Sequence, residues 1–185
     1  KMYVTADAPN DIWEYALSVP FDGTTAVYTD NFNTVGAQDT SPRGFTFNND
    51  GTELFVVGDV SDVIYQYDLS PAYDVSTASL NSSSSALTSD DNGMVGIHFN
   101  NDGTKLFLSG DQNDALYEYS LSPAYDITTL SLTATTSVSD QDTQPKNLDF
   151  NNDGTKLFLG GDQNNSVYSY TLGTAYDITT LSYDN

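Results

Sequence analysis

The sequence has no cysteine, one histidine and only five lysine and arginine residues in a chain of 185. Without cysteine there is no disulfide framework and no cysteine-based zinc site. Because 26 acidic residues bring the formal net charge to −21, nucleic acid and anionic membrane surfaces are poor partners. No apolar run approaches the roughly 18 residues of a membrane span, so we expect no membrane insertion.

Glutamate is also scarce, because 23 of the 26 acidic residues are Asp. Asp disfavours helix interiors and suits turns and caps, which predicts an all-β, turn-rich protein. With 38% hydrophobic and 12% aromatic residues the chain can bury one sizeable core, so we do not expect disorder. The acidity and the lack of cysteine favour an extracellular, cell-surface or virion location.

A ten-residue motif recurs through the chain. It reads FNNDGTELFV at 47–56 and FNNDGTKLFL at both 99–108 and 150–159, while residues 1–4 align with 53–56. Three aromatic positions keep the same spacing of 51 or 52 residues: Trp13, Tyr65, Tyr117 and Tyr168; Tyr15, Tyr67, Tyr119 and Tyr170; Phe21, Tyr73, Tyr125 and Tyr176. The chain therefore contains four copies of one unit.

The sequence pattern within each unit predicts four strands. The Asn-Asp-Gly turn joins the first two strands as a hairpin, an alternating Tyr-x-Tyr segment forms the third, and the fourth follows a Tyr-Asp turn. A β-sandwich or a β-solenoid also has closely spaced strands, but neither explains a repeated aromatic ladder over four strands. We predict one domain over 1–185, an all-β propeller of four-stranded antiparallel blades at about 1–41, 42–93, 94–144 and 145–185.

The motif also resembles known propellers. The run F-x-x-D-G-T-K-L-F followed by V-Y-x-Y-x-L resembles the blade signature of bacterial lactonase-like propellers. The longer form, which continues into Y-x-Y-x-L-S-x-A-Y-D-I-T-T, is similar to tandem repeats of marine bacterial and phage structural proteins. The resemblance implies a propeller fold and a bacterial or phage surface setting, and a fold does not by itself transfer an activity.

The first copy lacks its innermost strand, so fifteen strands of sixteen are expected. The chain is then a four-bladed ring without one inner strand, half of a larger ring, or a piece of a longer tandem array. An open arc would expose an apolar blade face. We therefore expect self-association, with two chains completing an eight-bladed ring as one arrangement.

Two sets of polar loops, here called the mouth loops, are expected around the channel mouth on one face of the ring. The first set carries Asp7, Asp59, Asp111 and Asp162 at one equivalent position, and Asn10, Asp62, Asp114 and Asn165 three residues later. The second set carries Asp39 with Arg43, Asp90 with Asp91, and Asp142 with Lys146. Such oxygen ligands suit Ca²⁺ or the hydroxyls of a glycan. The alternative is that these residues cap turns, with Arg43 and Lys146 as their ion-pair partners.

Two inner-strand positions depart from the repeat. Asp149, Asn151 and Asp153 match the opening D-x-N-x-D-G of a calcium loop, although a hairpin turn explains the same residues. His98, the only histidine, occupies the position of Asp149 in the preceding copy and could transfer protons. Without a second histidine, a structural role in lining the channel is the simpler interpretation.

These features favour a noncatalytic structural or interaction module, with glycan or calcium as its ligand. The alternative is a hydrolase or lyase of the lactonase or glycosidase-like propeller type. One arginine does not suit a sialidase site, and the chain has no G-x-S-x-G nucleophile motif.

Overall fold

The computed structural model describes residues 1–6, 10–32 and 35–184. These residues form an all-β propeller arrangement of four antiparallel sheets, which confirms the predicted fold class. Blade 1 contains β1 (Met2–Ala6), β2 (Asp11–Leu17) and β3 (Ala26–Phe32); blade 2 contains β4 (Pro42–Phe47), β5 (Glu53–Gly58), β6 (Val63–Asp68) and β7 (Ser79–Ser83). Blade 3 contains β8 (Met94–Phe99), β9 (Lys105–Gly110), β10 (Ala115–Ser120) and β11 (Ser131–Ser137); blade 4 contains β12 (Pro145–Phe150), β13 (Lys156–Gly161), β14 (Ser166–Leu172) and β15 (Leu181–Tyr183).

Short 3₁₀ turns complete the described elements, at Gly23–Thr25, Val35–Ala37, Val75–Thr77, Ile127–Thr129 and Ile178–Thr180. Four of them begin after an Asp whose side chain accepts the backbone N–H two residues on: Asp22, Asp74, Asp126 and Asp177. This is the local reason for the abundance of Asp over Glu, because the shorter side chain reaches its own backbone. Within the described part of the chain, no helix is long and apolar enough to span a membrane.

The hairpin in each repeated motif depends on one glycine. Gly51 has a φ of +71°, and a Cβ at this position would overlap the ring of Tyr73. Asp50 Oδ1 accepts hydrogen bonds from the Thr52 backbone N–H at 3.1 Å and from its hydroxyl at 2.5 Å. These contacts explain why Asp-Gly-Thr recurs unchanged in three copies.

The core lies between successive blades. At the boundary of blades 3 and 4, Phe107 and Leu116 pack with Leu157, Leu159 and other apolar residues of blade 4. Blades 1 and 2 share a second cluster and blades 2 and 3 a third. Each inner blade therefore buries both of its faces, which leaves the innermost strands to line the channel.

Candidate functional site

The innermost strands of blades 2, 3 and 4 enclose the channel side of the arc. β8 lies between β4 and β12, and together with Thr5 of β1 these strands line a cavity of about 430 Å³. Gly44 and Gly96 allow this close approach, because a Cβ would overlap the carbonyl oxygen of Val95 or of Lys146 on the next strand. Side chains at equivalent positions of neighbouring strands are consequently brought side by side.

A histidine and a carboxylate meet in this cavity. His98 Nδ1 on β8 lies 3.1 Å from Asp149 Oδ1 on β12. The His98 side chain is 25% exposed and that of Asp149 is 76% exposed, so the pair opens toward solvent. The hydrogen bond from His98 holds the pKa of Asp149 below its ordinary value, opposed by desolvation, while the Phe150 backbone N–H donates to the same oxygen at 2.9 Å. The imidazole also packs on the ring of Phe150, with centroids 5.4 Å apart.

Polar groups from the other inner strands complete the lining. Thr46 on β4 occupies the repeat position of His98. Asn147 on β12 precedes Asp149 by two residues, and we call His98 and Asp149 the dyad. Arg43 also lines the cavity, and its Nε and Nη2 donate to Asp59 Oδ2 at 3.1 and 2.8 Å. The site thus combines one acid–base pair, a hydroxyl, an amide and a guanidinium whose position is fixed by an ion pair.

The sequence named both dyad residues but did not pair them. The sequence favours a structural lining role for His98 and a calcium-ligand role for Asp149. The signal that could have joined them is their spacing of one repeat, because equivalent positions on the inner strands of consecutive blades are neighbours in a propeller.

The second set of mouth loops uses its carboxylates to fix the backbone. Asp39 and Asp142 are 3% and 1% exposed, and Asp91 at the same position is 1% exposed. Asp142 accepts from the backbone N–H groups of Gln144, Gln163 and Asn164 and from the hydroxyl of Tyr168 at 3.2 Å. Burial raises the pKa of Asp142, but these donors outweigh it and the net pKa is lowered. Each of these carboxylates therefore joins two loops of its own blade through hydrogen bonds to their backbone.

The first set of mouth loops is not gathered at one point. Asp59 pairs with Arg43 of its own blade, whereas Asp111 accepts Lys146 Nζ of blade 4 at 2.8 Å. Asp162 is exposed and Asp114 half-buried, each outside the described cavity lining, and Asp7 lies outside the described residues. Asp62 is fully buried, and burial raises its pKa against the opposing effect of the Met94 backbone N–H. Glycan binding at these loops stays a prediction.

The residues of the predicted calcium loop have separate local partners. Asn151 Oδ1 accepts the Lys156 backbone N–H at 2.9 Å, and Asp153 Oδ1 accepts that of Thr155 at 3.1 Å, as in the other hairpins. Asp149 points to His98 instead. In the part of the chain that the structure describes, no group of three or more His, Asp or Glu side chains is placed to hold a metal ion. Calcium binding stays a prediction.

Comparison with known proteins identifies the class. Residues 20–177 match the model of a family described as lactonase, 7-bladed β-propeller. The match covers most of the chain, so the chain belongs to this family. The resemblance to lactonase-like propellers is thereby confirmed. No match was found among curated proteins.

Solved structures share the fold. A Bacteroides uniformis protein assigned as a 6-phosphogluconolactonase aligns with 99% of this chain and 50% of its own, at 18% identity and a TM-score of 0.59. The periplasmic gluconolactonase of Pseudomonas aeruginosa aligns with 99% of this chain and 51% of its own, at 14% identity and 0.53. The Cps50 (Swd1) propeller domain of Myceliophteria thermophila aligns at 13% identity and 0.52. At these identities the likeness shows the fold alone, and the chain spans about half the length of these structures.

The expectation of a noncatalytic structural module is wrong. The chain belongs to the lactonase family, and this membership favours the hydrolase that stood as the alternative.

Proposed function

We propose that the chain is a hydrolase that opens a lactone ring, with the channel cavity as its active site and His98 as the general base. The observation that carries the proposal is the contact of 3.1 Å between His98 Nδ1 and Asp149 Oδ1 in a cavity of about 430 Å³. Family membership supports this reaction class. The cavity volume suits a small ligand, and we infer a lactone of a polyhydroxy acid.

The dyad supports acid–base chemistry in both directions. A carboxylate of lowered pKa accepts a hydrogen bond, so Asp149 selects the tautomer with hydrogen on Nδ1 and a lone pair on Nε2. Nε2 takes a proton from water as the water oxygen attacks the lactone carbonyl carbon. When the ring C–O bond breaks, the imidazolium returns that proton to the departing ring oxygen, and the product is a hydroxy acid.

The remaining lining residues suit the charge that develops on the carbonyl oxygen. The hydroxyl of Thr46 and the side-chain amide of Asn147 are hydrogen-bond donors in the same cavity. Arg43 adds a positive charge that Asp59 keeps in place at 2.8 Å. We assign Thr46, Asn147 and Arg43 to substrate binding and oxyanion stabilisation.

The test is a pH-stat assay of the purified chain with glucono-δ-lactone, corrected for spontaneous hydrolysis. We expect wild-type activity above the buffer rate and a loss of about 10²- to 10⁴-fold in kcat for His98→Asn. Asp162→Asn is the matched control, because Asp162 is an exposed mouth-loop residue outside the cavity lining. A wild type no faster than buffer across a panel of lactones, or a fully active His98→Asn, would overturn the proposal.

An extracellular or surface location is part of this proposal, as is a bacterial or phage origin of the repeat. The net charge of −21 supports it, since a strongly charged surface suits a solvent-exposed setting. Export into the medium of a native host, followed by immunoblotting, tests the location.

A further inference from the structure

A buried serine behind the channel cavity departs from the repeat. Ser109 on β9 is 0% exposed, and the residues at its repeat position in blades 2 and 4 are Val57 and Gly160. A hydroxyl placed in the interior costs free energy unless it is hydrogen-bonded. Packing of the blade alone therefore does not account for a serine here, and its hydrogen bonds indicate what it does.

The Ser109 hydroxyl bridges the two strands that carry the dyad. Its Oγ accepts the backbone N–H of Gly96 on β8 at 2.9 Å and donates to the backbone carbonyl oxygen of Lys146 on β12. Because both partners are backbone groups, the bridge fastens one strand to the other directly. We call these two hydrogen bonds the serine bridge. Val57 and Gly160 have no hydroxyl, so the same position cannot form it in blades 2 and 4.

The serine bridge lies at a bulge in β8. Met94 pairs with Gly110 and Gly96 with Ser109, so Val95 is an extra residue on the β8 side. A bulge interrupts the backbone ladder, and here the serine hydroxyl supplies the acceptor for the Gly96 N–H. A Cβ on Gly96 would lie 2.6 Å from both the Ser109 hydroxyl and the Lys146 carbonyl oxygen. The close approach of the two strands at this point therefore requires glycine.

The serine bridge is close to the dyad along both strands. His98 follows Gly96 by two residues, and Asp149 follows Lys146 by three. A strand rises about 3.3 Å per residue, so the bridge lies within about 10 Å of each dyad residue along its strand. A change in the separation of the strands at the bridge would consequently change the separation of the dyad side chains.

A second contact joins the same strands on the other side of the dyad. Asn101 Nδ2, in the hairpin after β8, donates to the Asn152 carbonyl oxygen at 2.6 Å. This contact is exposed and belongs to the repeat, because Asn49 Nδ2 donates in the same way to the Asn101 carbonyl oxygen. The dyad therefore lies between a contact shared with the preceding blade boundary and the buried serine bridge.

We propose that Ser109 is a positioning residue of the dyad, which holds β8 against β12 so that His98 Nδ1 stays 3.1 Å from Asp149 Oδ1. Ser109 is fully buried and outside the cavity lining, so it acts through the dyad and does not touch the substrate. The kinetic consequence of this role rests on the proposed function, whereas the dyad contact is observable without substrate. The rate depends on the role because even a small misplacement of a catalytic group is costly.

Three variants of Ser109 separate the hydroxyl from the packing. Ser109→Ala removes the hydroxyl with little change of volume. Ser109→Thr and Ser109→Val have the same shape and differ only in the hydroxyl, and Val57 shows that this repeat position accommodates a β-branched side chain. The threonine variant is thus the matched control for the valine variant.

Two measurements are made on each variant, with circular dichroism to confirm folding. The first is the ¹⁵N NMR spectrum of the single imidazole without substrate, which reports the hydrogen on Nδ1. The second is kcat and KM with glucono-δ-lactone. We expect wild type and Ser109→Thr to carry the hydrogen on Nδ1 of the uncharged imidazole. In Ser109→Ala and Ser109→Val the two ring nitrogens should approach a common shift as the tautomers exchange, and kcat should fall about 10-fold or more with KM nearly constant.

An imidazole spectrum in folded Ser109→Ala that equals that of wild type would overturn the positioning role, even in an active lactonase. Equal changes in Ser109→Thr and Ser109→Val would overturn it too, because side-chain bulk and not the hydroxyl would be the cause. A wild type that carries the hydrogen on Nδ1 but hydrolyses no lactone would overturn the proposed function alone. The spectra of the variants would then still decide whether Ser109 positions the dyad.

Discussion

The mouth loops keep the same residue from one repeat to the next, whereas the channel face of the inner strands does not. Asp39, Asp91 and Asp142 are the same residue at the same repeat position, buried and bonded to backbone N–H groups of their own blade. On the inner strands, one repeat position is held by Thr46, then His98, then Asp149. Where the repeat is kept, the side chain stabilises its own blade, and where the repeat is broken, the side chains are those to which we assign the proposed chemistry.

Removing a repeated carboxylate should produce the largest loss of stability. Asp142→Ala deletes the common acceptor of three backbone N–H groups and the Tyr168 hydroxyl, so the two loops lose the group that joins them. We expect the free energy of unfolding to fall by about 3 kcal/mol, measured by urea denaturation. Asp140→Ala, outside this hydrogen-bond network, is the control. A change of under about 0.5 kcal/mol in Asp142→Ala would refute the structural role of these carboxylates.

A glycine beside such a carboxylate should be nearly as sensitive. A Cβ on Gly110 would overlap the Asp91 carboxylate, whereas a Cβ on Gly160 would find its nearest neighbour, the Asn147 carbonyl oxygen, at 3.6 Å. Gly110→Ala is expected to cost about 2 kcal/mol, in the range of overpacked cores, and Gly160→Ala close to nothing. Thermal unfolding of the two variants in parallel measures the difference, and equal melting temperatures would contradict it.

Changing the dyad carboxylate should affect activity and leave stability almost unchanged. Asp149→Asn keeps the shape but weakens the selection of the Nδ1–H tautomer, so we expect kcat to fall about 10-fold or more with KM nearly constant. Because the pKa of Asp149 is lowered in the folded state, the wild-type pair persists at neutral pH and is lost as pH falls through that lowered pKa. The acid side of the pH–rate profile should therefore change shape in the variant. An unchanged profile would count against the dyad.

The smallest expected effect is a gain of stability. Asp62 is fully buried, and two of its three repeat equivalents are asparagines, Asn10 and Asn165. A raised carboxyl pKa means that the native state binds the proton more tightly, so stability is lost as pH rises through that pKa. Asp62→Asn should be about 1 kcal/mol more stable than wild type at pH 7, and the gain should shrink toward about pH 4.

The control for this gain is Asp114→Asn, at the same turn position but only half-buried. We expect it to change the unfolding free energy by less than about 0.5 kcal/mol at either pH. A stabilisation of Asp62→Asn that did not depend on pH would show that the turn conformation, with a φ of +49° at residue 62, is the cause instead.

The blade pattern was predictable because each copy of the repeat contains the same local turn and strand signals. Asp-Gly-Thr defines a hairpin through one backbone dihedral and two hydrogen bonds, both local to the motif. The site was not predictable in the same way. The contact of His98 with Asp149 crosses from one blade to the next, as does that of Asp111 with Lys146, and such contacts depend on the angle between blades.

The most direct test of the account is the NMR signal of its only histidine. Because the chain has one His, isotope-labelled imidazole gives a single set of resonances for His98. The account predicts hydrogen on Nδ1 of the uncharged imidazole and a saturable shift of these resonances when gluconate, the hydrolysis product, is added, with the shift lost in Arg43→Gln. Resonances that report hydrogen on Nε2, or that do not move at saturating product, would contradict a catalytic His98 in the channel.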